Sequence, residues 1–94
     1  MRRLQIHDLL KTGADDPTTG RELCDMTGMQ RRDISAAVEA ERRDGFPICA
    51  STDTSRPGYY MAADAGELAR YIRSLKHRIA ELTETCEALE GAII

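Results

Sequence analysis

The sequence predicts a mainly α fold with one small β-hairpin, closed by a long C-terminal helix. Three observations carry that expectation. Before residue 45, apolar residues recur at helical spacing in short segments bounded by capping residues or glycine. Between Phe46 and Ala62 the pattern changes to two short apolar runs around a polar loop. From Leu68 onward, apolar residues alternate at spacings of four and three. Composition agrees: of 94 residues, 41% are hydrophobic but only 4% aromatic, so Leu, Ile, Val, Ala and Met must build the core, which suits helices.

The first segment, from about residue 3 to residue 11, sets Leu4, Ile6, Leu9 and Leu10 on a loosely amphipathic helix that stops near Gly13. Asp15-Asp16-Pro17 makes a turn. A second helix starts at Thr19, with Glu22 three residues later in the capping-box arrangement. Leu23 and Met26 are expected inside, and Gly28 ends this short helix. A third helix runs from about Gln30 to Arg43 with Ile34, Ala37 and Val38 on one stripe, and Asp44-Gly45 closes it.

Residues 46–50 and 59–62 are expected to pair as strands around the polar loop at 51–58. Pro47 and Pro57 fall at strand edges, where a missing donor does little harm. Of Tyr59 and Tyr60, one ring is expected in the core and the other outside.

Asp64 caps the last helix, and Glu67 follows three residues later. Leu68, Ile72, Leu75, Ile79, Leu82, Cys86, Leu89 and Ile93 form a heptad seam, with Leu at one core position and Ile or Cys at the other. One apolar stripe of that length needs a partner. Its first turns are expected to pack on the preceding domain and its remainder to form a homodimer, with Leu68 to Leu89 of the seam as the interface. Arg70, Arg73, Lys76 and Arg78 precede Glu81, Glu84, Glu87 and Glu90, so an antiparallel pair centred near Ile79 sets each basic half against an acidic half. The Ile and Leu core choice favours two parallel strands instead. The chain therefore divides into a compact domain at residues 1–63 and an oligomerisation helix at 64–94.

The junction of the second and third helices has its own chemistry. Cys24 is small enough for a close helix crossing, Gly28 supplies the turn, and Ile34 plugs the space between the helices. Residues 19–62, including TGMQRRDISAAVEAERRDGFPICAS and PGYYMA, resemble winged helix-turn-helix domains of the biotin-repressor N-terminal type. They are also similar to small phage- and prophage-encoded proteins in which such a domain is followed by a helix. The resemblance implies a regulator or DNA-transaction accessory that binds double-stranded DNA, with the third helix in the major groove and the hairpin as a wing. It matches Gln30, Arg31, Arg32 and Ser35 to contact positions of the recognition helix and Arg56 to a wing position. Glu41 departs from the pattern, standing where these domains place Leu on the inner stripe. Either that helix end is loose, or Glu41 pairs with an Arg at the domain edge.

The residues of the third helix support the same reading without the resemblance. With Ile34, Ala37 and Val38 inward, the outer face carries Arg32, Ala36, Glu39 and Arg43, flanked by Arg31, Ser35 and Arg42. Small Ser35 and Ala36 let the backbone approach a groove floor. Arg31 and Arg32 suit guanine edges, and Arg42 and Arg43 suit phosphates. All but Lys11 and Lys76 of the 13 basic residues are Arg, whose planar fork matches both targets. The competing reading is a solvated face with intrahelical pairs such as Glu39 with Arg43, on a protein-interaction adaptor that never touches DNA. The net charge of −3 favours that alternative and argues against indiscriminate polyanion binding.

No enzyme, cofactor, metal or small-molecule ligand is expected. His7 and His77 have no carboxylate or cysteine at ligand spacing and are assigned to the surface or to a helix face. No nucleophile elbow or glycine-rich phosphate loop is present. Cys24, Cys49 and Cys86 are odd in number and widely spaced, which fits small buried thiols in a reducing cytoplasm. No apolar run approaches the ~20 residues of a membrane span. His7 and Asp8 interrupt the stretch a secretory segment would need.

Overall fold

Thr19 opens the first α-helix through the reciprocal cap that its spacing to Glu22 predicts. In the computed structural model, which describes residues 5–93, the Thr19 hydroxyl accepts from the Glu22 amide at 3.0 Å. The Glu22 carboxylate accepts from the Thr19 amide at 3.2 Å. This helix, α1 (Gly20–Thr27), ends where Gly28 takes left-handed backbone at φ 75° and donates to the Cys24 carbonyl at 2.8 Å. Helix α2 (Arg31–Arg43) follows directly, with Gln30 as its first flanking residue.

Leu23 from α1 and Ile34 and Val38 from α2 meet Ile6 and Ile48 in the main core, each at most 2% exposed. Burying one such side chain stabilises the fold by roughly 1.5–3 kcal/mol. Met26 does not join them. It is 49% exposed, because the inner side of α1 runs through Gly20 and Leu23 and turns Met26 toward solvent.

Strands β1 (Ile48–Ala50) and β2 (Tyr59–Met61) pair antiparallel, with Ile48 opposite Met61 and Cys49 opposite Tyr60. Alternation along the strands sends Ile48, Tyr59 and Met61 toward α1 and α2. Cys49 and Tyr60 point the other way, onto the last helix. The hairpin is thus covered on both faces: Tyr60 is buried, and Tyr59 is half-buried against the main core and does not stand outside.

β2 also pairs along its second edge. Thr18 and Tyr59 exchange backbone bonds at 2.9 and 2.8 Å, and Met61 bonds to Gly13 and Lys11 at 2.8 and 2.9 Å. Gly58 permits this approach: its φ is 140°, and a Cβ there would stand 2.5 Å from the Thr18 carbonyl oxygen.

The same pairing overturns the first expected helix. Among the described residues only a 3-10 turn forms, Ile6–Leu9, while Arg3 and Leu4 lie outside them. Leu10 is already extended at ψ 145°, because Lys11 must present its carbonyl to Met61. Sheet pairing has taken the backbone groups that further helical turns would use.

Glu41 holds this turn in place. It is 8% exposed, and its carboxylate accepts from the amides of Ile6 and His7, each at 2.8 Å. The inner-stripe acid therefore does not lie in a loose helix end, and among the described residues it pairs with no Arg. His7 is likewise not a surface residue: its Nδ1 lies 2.7 Å from Glu41, and its ring stacks on Phe46 at 3.7 Å.

Helix α3 (Ala65–Gly91) begins as expected, with the Asp64 carboxylate accepting from the Glu67 amide at 2.8 Å. Leu68, Tyr71 and Leu75 pack on Cys49 and Tyr60 in a second core. From residue 76 to residue 93 every position is exposed, so α3 projects beyond the domain and the molecule measures 56 × 30 × 28 Å. Cys86 lies on this projecting part. Of the three thiols only Cys49 is buried, Cys24 is half-buried and Cys86 is exposed.

Candidate nucleic-acid interface

The start of α2 gathers the residues that sequence reasoning singled out. Gln30, Arg31, Arg32 and Ser35 are all exposed and lie within its first turns, turned away from buried Ile34 and Val38. Gly20 makes room for Arg31. A Cβ at Gly20 would meet the Arg31 Nε at 2.6 Å, so this side chain lies across the start of α1. There it borders an open groove of about 420 Å³, lined by Arg21, Thr19 and Gly20 on one side and Ser51, Gly58 and Tyr59 of the hairpin on the other. Helix pair and hairpin therefore form one continuous surface around Arg31.

Arg21 belongs to this surface and was missed from the sequence. Its signal was its place two residues after the Thr19 cap, which fixes it on the first turn of α1 beside α2. Arg21, Arg31, Arg32 and Arg43 make no ion pair among the described residues. Arg43 is exposed at the far end of α2, roughly 18 Å along the axis from Arg31.

Arg42 is not available as a phosphate contact. Its guanidinium donates to the Ile48 carbonyl at 2.9 Å, to the Tyr71 hydroxyl at 2.9 Å and to Glu39 at 2.8 Å, and it lies 5.4 Å from the Tyr71 ring centre. Glu39 thus pairs with Arg42 and not with Arg43, which neutralises the one acid in the middle of the outer face.

Arg56 stands apart from these residues. It is exposed on the hairpin loop, but its guanidinium donates to the Asp15 carbonyl at 3.1 Å. Asp16 and Asp53 surround it with negative charge. The Asp16 carboxyl is held below the usual range, first by its hydrogen bond from Lys11, with Arg56 a smaller cause. The Asp53 carboxyl is lowered chiefly by hydrogen bonds from the Ser55 hydroxyl and amide, and again slightly by Arg56. The loop residue is therefore folded onto the 15–17 turn, beside acids that repel a polyanion.

The seam residues divide in two. Leu68 and Leu75 are half-buried against the hairpin, whereas Ile72, Ile79, Leu82 and Leu89 are 41%, 62%, 60% and 64% exposed.

No protein-family model, curated protein or solved structure matches this chain. No helix among the described residues is long and apolar enough to cross a membrane. Among the same residues no cluster of three or more His, Cys, Asp or Glu side chains could hold a metal ion.

Proposed function

We propose that this chain binds duplex DNA sequence-specifically through α2, as a small cytoplasmic regulator or DNA-transaction accessory of the phage or prophage type. The supporting observation is the set of exposed arginines that make no ion pair among the described residues, Arg21 and Arg31 at the groove beside the hairpin and Arg32 and Arg43 along α2. Free guanidinium groups on a rigid helix keep their full charge for phosphates and base edges. In this reading Arg31 and Arg32 reach guanine O6 and N7 from the first turn, with Gln30 beside them. Ser35 and Ala36 are small enough to admit the helix to a groove about 12 Å wide. Arg21 and Arg43 flank it at positions suited to the two phosphate walls. The hairpin would act as the wing, contributing through Ser51 and its backbone more than through Arg56.

The test is fluorescence anisotropy on mixed-sequence duplex across a salt titration, beside the triple variant Arg31→Ala/Arg32→Ala/Arg43→Ala. Each lost phosphate contact should lower the slope of log affinity against log salt by about 0.9. The reading predicts salt-sensitive binding that the variant loses. Equal binding by both proteins would overturn the role of α2, and none at low salt would leave the chain as a protein-interaction adaptor.

A further inference from the structure

Beyond residue 75 the last helix carries an apolar stripe that the fold leaves uncovered. Ile79, Leu82, Leu89 and Ile93 are 60–80% exposed, and Cys86 lies exposed among them. We infer that this stripe docks a second copy of the chain antiparallel, tip over tip, about a centre near Glu84. The inference concerns α3 alone and does not depend on DNA binding.

The hairpin decides where a partner can lie. It already covers one edge of the stripe at Leu68 and Leu75, beside Tyr71, through Cys49 and Tyr60, while Ile72 stays exposed. A parallel partner would bring two such hairpins into the one space between the helices, which coiled helices leave only 8–10 Å apart. An antiparallel partner centred near Ile79 would lay its last turns over Leu68 and Leu75, where the hairpin stands. Sliding the antiparallel pair toward the tip keeps the two hairpins apart and clears Leu68, so that only the partner's terminal Ile93 comes beside Leu75. The next register that keeps the heptad layers sets Ile79 against the partner's Leu89 and Leu82 against the partner's Cys86. The two domains then sit at opposite ends.

Charge agrees with that register. Lys76 comes beside the partner's Glu90 at both ends of the contact, on the rim of the seam. Glu81, Glu84 and Glu87 occupy outer heptad positions, where like charges are separated by solvent. The exposed apolar side chains of both copies, at roughly 100 Å² each, together reach about the 1,000 Å² that a specific interface requires.

Sedimentation equilibrium on the full chain should show dimers, and Leu82→Glu should yield monomers with an unchanged helical circular dichroism spectrum. Orientation is read with two further variants, Ile79→Cys/Cys86→Ser and Leu89→Cys/Cys86→Ser. In the proposed register, identical positions lie roughly 15 Å apart along the axis, too far for a disulfide. Each variant alone should therefore stay uncrosslinked under mild oxidation, and an equimolar mixture should form disulfide dimers. A wild-type chain that remains monomeric at about 100 μM overturns the proposal. Crosslinking by either variant alone, at the level of the mixture, overturns the antiparallel arrangement.

Discussion

One oxygen of Glu41 receives both the amide of His7 at 2.8 Å and the His7 Nδ1 at 2.7 Å, while its second oxygen receives the amide of Ile6. A side chain from α2 thereby caps a turn that lies thirty-odd residues earlier in the chain. Gln5, the local flanking residue, makes no such bond. The Ile6 side chain that this cap positions is part of the main core, so the acid supports hydrophobic packing it does not itself join.

Glu41→Ala should lower stability by about 3 kcal/mol, because two amides lose charged acceptors in a nearly dry site. Glu41→Leu should also be destabilising, although it restores an apolar inner stripe, since the Ile6 and His7 amides stay unsatisfied. Glu41→Gln keeps one acceptor and should fall between wild type and Ala. Urea unfolding followed by circular dichroism measures all three; a Leu variant as stable as wild type would refute the capping role.

Gly58→Ala should cost about 2 kcal/mol or more, because a positive φ and a contact with the Thr18 carbonyl must both be relieved. The loss should appear first as faster hydrogen exchange at the amides of Thr18 and Tyr59, which bond each other's carbonyls. Unchanged protection at both would contradict the close-approach account.

Tyr71→Phe should cost about 1 kcal/mol by removing the acceptor for Arg42. Arg42→Lys should cost more, since a lysine cannot serve Ile48, Glu39 and Tyr71 together. A double-mutant cycle between them should show coupling; strict additivity would mean the bond contributes nothing.

Stability should fall at both extremes of pH. Asp16 and Asp53 have carboxyls held below the usual value by their Lys11 and Ser55 partners. Their contribution is present above about pH 4 and is lost as pH falls through the folded values. Cys49 and Tyr60 are raised chiefly by burial. Their contribution is present below about pH 9 and is lost as pH climbs from there, because the unfolded chain releases those protons first. Asp53→Asn should flatten the acid limb and Tyr60→Phe the alkaline limb in unfolding curves collected across pH.

Local chemistry made most elements legible. The Thr19–Glu22 box, Gly28, the 46–62 pattern change and the Asp64 cap each act within a few residues, and each appears where its spacing places it. Misreadings arose wherever a distant partner decided the outcome. The segment before Gly13 has helical periodicity, yet pairing with Met61 stops it after one turn. Arg42 reads as half of an exposed pair until the hairpin and α3 close around it. Glu41 and His7 are separated too widely in sequence for any pattern to join them. For the candidate interface, Arg31, Arg32, Ser35 and Arg43 were read from helical phase and Gln30 from the resemblance, whereas Arg21 emerged only from the crossing of α1 and α2.

The Arg42–Tyr71 bond has a mechanical consequence. It fastens α2 to α3 at a point where both also touch the hairpin, so the two helices form a stiff bracket with a set angle. Were two such brackets joined through their tips, the offset and rotation between the two α2 helices would be built in and not adjustable. If α2 reads DNA as proposed, such a dimer would act as a gauge, discriminating between paired sites by the length and helical phase of the spacer even where no side chain touches the intervening bases.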